Sequence, residues 1–108
     1  MGYMRHHAIC ISSWNRKELL KVHNKAKKIF NHLATEIVDS TINSESSFFI
    51  APDGSKEGWE ESNLYNKKRT DIVDFIEKRK YADGSNCIRY AELFFADDEK
   101  NCAIVNHN

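Results

Sequence analysis

The residue pattern predicts one α+β domain: a ferredoxin-like β-α-β-β-α-β core with an additional C-terminal strand, its two helices on one face of an antiparallel sheet. Two observations lead there. The chain has 108 residues, 41% of them hydrophobic, with only 4 glycines and 1 proline, which suits a single compact core and leaves no room for a second. Stretches with helical apolar spacing also alternate with β-rich stretches in the order strand, helix, strand, strand, helix, strand, strand.

Each element has its own warrant. Between His6 and Trp14 the run Ala8, Ile9, Cys10, Ile11 is apolar and partly β-branched, the pattern of a central strand buried on both faces. Asn15 with Glu18 three places on reads as a helix N-cap of capping-box type. Behind it Leu19, Val22, Ala26, Ile29 and Leu33 recur at three- and four-residue steps, and Phe30 widens the stripe. Glu36 to Ile42 and Ser47 to Ala51 are β-rich, and the polar residues Asn43 to Ser46 between them predict a hairpin. Pro52, Asp53, Gly54 and Ser55 end that hairpin and open a polar loop running to about Ser62. From Leu64 to Tyr81, Ile72, Val73, Phe75 and Ile76 stand among many charges, the pattern of a helix with a narrower apolar face. Asp83 to Asn86 stops it. Cys87 to Ala96 and Cys102 to Val105 then read as a second hairpin around Asp97 to Asn101.

Composition narrows the function classes. Lys and Arg number 16, as do Asp and Glu, so the chain as a whole lacks the basic field that coating nucleic acid or an anionic membrane requires. Cys10, Cys87 and Cys102 fall in no C-x-x-C spacing and read as reduced core thiols. The first residues, Met1 to His7, hold no apolar leader, and no apolar run is long enough to span a bilayer. A cytoplasmic protein without membrane attachment is expected.

Three places can carry chemistry. His6 and His7 open the first strand and point to opposite faces, so they do not share a metal; His107, near the end of an antiparallel neighbour, could approach one of them. The paired His-x-Ser/Thr elements of two-histidine phosphoesterases are missing, because Ala8 and Ile9 follow at the required spacing. The loop from Ala51 to Ser62 combines Gly54 and Gly58 with Ser55, Lys56 and Trp59. It lacks the spacing of a phosphate-binding loop, and Asp53, Glu57, Glu60 and Glu61 make it acidic. It reads either as a loop pinned by Trp59 to the domain edge or as a recognition loop anchored on that ring. The third place is the first helix, where Arg16, Lys17, Lys21, Lys25, Lys27 and Lys28 face the single acid Glu18. Together with the lysines and arginines of the second helix they form a candidate basic face for an acidic protein or nucleic acid. Of the aromatics Phe48, Phe49, Tyr90, Phe94 and Phe95, one of each pair is expected in the helix-facing core and the other under a dimer contact or at an edge.

Arg5-His6-His7-Ala8-Ile9 and the longer run from Phe48 to Ser62, Phe-Phe-Ile-Ala-Pro-Asp-Gly-Ser-Lys-Glu-Gly-Trp-Glu-Glu-Ser, resemble short proteins of tailed bacteriophages and prophages, a group without established catalytic residues. The resemblance implies an accessory gene product in the host bacterial cytoplasm. By analogy, small phage products of this size inhibit or sequester host factors, defence components among them.

The expectation is therefore a non-enzymatic binding protein directed at a host protein, with the capacity to form a homo-oligomer. Its binding residues are Asp53, Ser55, Lys56 and Trp59 of the loop and Lys21, Lys25 and Lys28 of the first helix. No catalytic residue, metal ligand or cofactor is expected. A small nucleic-acid binder using the basic helices is the first alternative, and a histidine-dependent phosphoesterase the second.

Overall fold

The computed structural model describes residues 5–55, 58–96 and 102–108. Its elements are β1 (Arg5–Ser13), α1 (Arg16–Phe30), a single 3-10 turn at Asn31–Leu33, β2 (Val38–Asp39), β3 (Ser46–Ile50), α2 (Glu60–Glu77), β4 (Ile88–Ala96) and β5 (Cys102–His107). The five strands form one sheet in the order β2-β3-β1-β4-β5, antiparallel at every junction. The protein is thus an α+β domain with two helices packed on a five-stranded antiparallel sheet.

Strand alternation decides which residues the helices cover. Ile9 stands opposite both Ile50 and Glu92, Ile11 opposite Phe48 and Tyr90, and Ser13 opposite Ser46 and Ile88. Those side chains share one face. Against it α1 buries Leu19, Val22, Ala26 and Phe30, and α2 buries Ile72, Val73 and Ile76, so both helices lie on the same side. Cys10 is next to Ile11 in sequence yet exposed, because its side chain points the other way. β1 is central as expected, but only one of its faces is roofed by helices.

Local chemistry sets the helix ends. Asn15 caps α1 through its Oδ1, which accepts from the Glu18 amide at 3.2 Å. The Glu18 carboxylate does not complete the box; it turns instead to Lys21 and Arg79. α2 begins at Glu60 and ends at Glu77, four residues earlier at each end than the apolar spacing predicts. Polar residues form its opening turns, and apolar periodicity carries no signal for a turn without a buried face.

The β-rich composition of Glu36 to Ile42 yields only the two-residue β2, an edge strand whose Val38 and Asp39 are both exposed. The fourth and fifth strands match their expected positions closely, with β5 running on to His107. Their turn, Asp97 to Asn101, lies outside the described residues. The cysteine expectation is corrected. Cys87 alone is buried, while Cys10 sits on the unroofed face and Cys102 on the outermost strand.

Candidate functional site

The loop after β3 is anchored by a residue that composition did not single out. Arg69 occupies the inward stripe of α2 one turn before Ile72 and Val73, and its side chain is 6% exposed. Its guanidinium donates to Asp53 Oδ1 at 3.3 Å and to Asn66 Oδ1 at 2.5 Å. The second Asp53 oxygen accepts from the Ser55 amide at 3.3 Å and from the Ser55 hydroxyl. Burial acts to raise the Asp53 pKa, but the bonds from Ser55, from the backbone and from Arg69 outweigh it and hold the carboxyl below the usual carboxylate range.

Gly54 and Gly58 have φ of +81° and +94°, with no atom near where a side chain would project. The backbone conformation, not lack of space, selects glycine there. Directly after Gly58, Trp59 precedes the first residue of α2 and is 49% exposed, as Leu64 is at 52%. Asp53 and Ser55 are bonded to each other, and Trp59 stands at the N-terminal end of α2, the helix that carries Arg69; Lys56 and Glu57 lie outside the described residues. The sequence reading counts Arg69 with the exposed charges of the second helix; its place on an otherwise apolar stripe is the signal that would have pointed to a buried acidic partner.

The lysines are arranged differently. Lys21, Lys25 and Lys28 are exposed along one side of α1. Lys21 Nζ bonds Glu18 at 3.1 Å, and Lys25 Nζ lies 5.8 Å from the centre of the Phe75 ring. Asp71 and Asp74 line the groove between the helices together with Lys25 and Lys78, and Arg79 binds Glu18. The two helices do share a face, but carboxylates are interleaved with its cations.

The histidines do not converge. His6 and His7 are opposite Phe95 and Phe94, as alternation requires, whereas His107 is opposite Ala91, about 13 Å along the sheet from His6. The approach that His107 could have made is not seen: register places it against the middle of β4. His7 Nδ1 is 3.1 Å from Glu92 Oε2, and His23, buried at 8% exposure, bonds the Thr35 carbonyl oxygen at 2.8 Å. Among the described residues no group of three His, Cys, Asp or Glu side chains is placed to hold a metal ion.

No protein-family model, curated protein or solved structure matches this chain.

The unroofed sheet face is the other prominent surface. A trough of about 580 Å³ crosses it, floored by Cys10, Phe49 and Ala91 and rimmed by Val38 on one side and Ile104 on the other. Ser12, Ser47, Arg89 and His107 supply its polar lining. Arg89 is held by Asn108, with its Nε 3.1 Å from Oδ1. Ser12 donates to Glu45 Oε1 at 2.7 Å beyond the trough's end. Phe48 is in the core while Phe49 is on this face, so that pair divides as expected. Among the described residues no helix is long and apolar enough to cross a membrane.

Proposed function

We propose that this chain is a non-enzymatic binding protein that presents Trp59, at the N-terminal end of α2, to a protein partner, with Asp53 tied to the same helix through Arg69. One observation carries the reading. The ion pair that ties Asp53 to α2 is almost fully buried, at 6% and 9% side-chain exposure, while Trp59, at the N-terminal end of the same helix, is half exposed. Burying an ion pair adds little net stability, because desolvating the two charges offsets their attraction. What it does provide is one placement of Asp53 and Ser55 against α2, and a segment ordered before binding loses less entropy on association. Trp is among the residue types in which interface energy concentrates.

In keeping with the resemblance to phage proteins, we assign the partner to a host factor, a defence component among the candidates, inhibited or sequestered in the bacterial cytoplasm. Lys21, Lys25 and Lys28 contribute steering toward an acidic surface. The nucleic-acid alternative draws less support, since Asp71 and Asp74 stand beside Lys25 and Lys78 where phosphates would lie. The phosphoesterase alternative draws none from the separated histidines. At a finer level we read the fold as a ferredoxin-like core with β5 appended next to β4; the appended strand and the two-residue β2 are its departures from that pattern.

The test compares wild type and Trp59→Ala as bait in a bacterial host lysate, with thermal melting of both. A partner retained by wild type and lost by Trp59→Ala, at an affinity cost of about 2 kcal/mol or more and an unchanged melting midpoint, supports the reading. Equal retention by both, or a lowered midpoint with equal affinity, overturns it.

A further inference from the structure

We infer that the unroofed face of the sheet is covered by a second copy of this chain, the two sheets packing face to face. The inference is independent of the Trp59 reading, because Trp59 adjoins α2 and the helices lie on the opposite side of the sheet.

Size comes first. The strands contribute 9, 2, 5, 9 and 6 residues. At about 3.3 Å per residue and about 4.8 Å between strands, the face covers roughly 500 Å² in projection. Two such faces bury about 1,000 Å² or more, since accessible surface exceeds its projection, and that reaches the lower bound for a specific interface. The apolar centre of this face, Phe49 and Ala91 between Val38 and Ile104, is a contiguous patch of the kind that often marks an interaction site.

Shape and charge favour a second copy as the occupant. The trough is a hole between two knobs, Val38 at 69% exposure and Ile104 at 61%. A two-fold axis running along the strands in the plane between the sheets brings the β5 side of one copy over the β2 and β3 side of the other. The Ile104 side chain of each copy then enters the partner's trough above Phe49 and Cys10, filling the space that two flat faces would leave empty. Among the described residues no Asp or Glu lines the trough, so self-association places no carboxylates of the two copies against each other there. The Arg89 guanidinium at its end is hydrogen-bonded to Asn108.

The full-length chain is measured by size-exclusion chromatography with light scattering over a concentration series, alongside Ile104→Lys and Val38→Lys. Both substituted residues are exposed, so circular dichroism of the variants is expected to match wild type. The expected result is a wild-type mass rising to twice 12.6 kDa at micromolar concentration, and a mass of 12.6 kDa for Ile104→Lys. As a second readout, labelling of Cys10 by a maleimide, located by peptide mass spectrometry, should be at least several-fold slower in the wild-type dimer than in Ile104→Lys. Buried Cys87 stays unlabelled in both. A wild-type chain that remains at 12.6 kDa overturns the proposal and leaves the face to a different occupant. A dimer whose mass and Cys10 labelling are indifferent to Ile104→Lys also overturns it and points to another surface, such as the outer edge of β5.

Discussion

The two faces of this sheet are built from the same strands, one residue out of step, and they differ in nearly everything else. On the covered face Ile9, Ile11, Phe48, Ile50 and Ile88 are each at most 3% exposed beneath the helices. On the open face their immediate neighbours in sequence, Cys10, Ser47, Phe49 and Arg89, include an exposed thiol, a hydroxyl and an exposed cation. The covered face is a packed interior, where every methylene is in contact. The open face has the composition of an interface, apolar at the centre and polar at the ends. Strand alternation alone creates the distinction, but what lies over each face determines its energetic weight.

Substitutions ordered by expected effect sharpen the contrast. The largest belongs to the polar rim of the covered side: Arg69→Ala leaves Asp53 buried without its cation and should cost about 3–5 kcal/mol in urea unfolding. Replacing both partners, as Asp53→Asn with Arg69→Met, should recover much of that loss, and a double variant as unstable as Arg69→Ala would count against the buried-charge explanation. The same pair makes stability acid-sensitive. Because the folded Asp53 pKa is lowered, its contribution is complete above the ordinary carboxylate range and disappears as pH falls through the lowered folded value. Wild type should therefore lose more stability on acidification below about pH 4 than Asp53→Asn does.

Next comes the apolar interior, where Ile11→Ala should cost about 3 kcal/mol through lost burial and the cavity it leaves. Asn15→Ala removes the cap of α1 and should cost about 1 kcal/mol, readable as a lowered thermal midpoint. The smallest effect is expected one residue from Ile11, on the other face: Cys10→Ser should change monomer stability by less than about 0.5 kcal/mol. Equal losses for Ile11→Ala and Cys10→Ser would break the comparison of the two faces.

The sequence revealed these features unevenly, for physical reasons. The apolar repeat from Leu19 to Leu33 marked α1, and Asn15 marked its start, because periodicity and capping are local. The covered face of β1 was legible for the same reason, and the element order placed both helices on one face; burial of β1 on both faces was not met, because an apolar run does not report what covers its second face. β-rich composition at Glu36 to Ile42 overstated β2, because pairing at a sheet edge depends on a partner strand and not on propensity. In the candidate site the glycines and Trp59 stood out by composition. Arg69 did not, because one charge among many looks solvated until its place on the helix stripe is counted. Which residues His107 would face was not legible, because register between strands distant in sequence is a tertiary property.

The Asp53–Arg69 contact also has a consequence for motion. It links a loop to a helix position 16 residues away, so the loop cannot lift without exposing a guanidinium that the helix buries. The segment around Asp53 to Ser55 and the turn of α2 from Asn66 to Arg69 should then open to solvent together, as one cooperative unit with a shared opening free energy. Amide hydrogen exchange would register this as matched protection at both places, and a protease would find the loop cleavable only in molecules whose second helix had begun to fray.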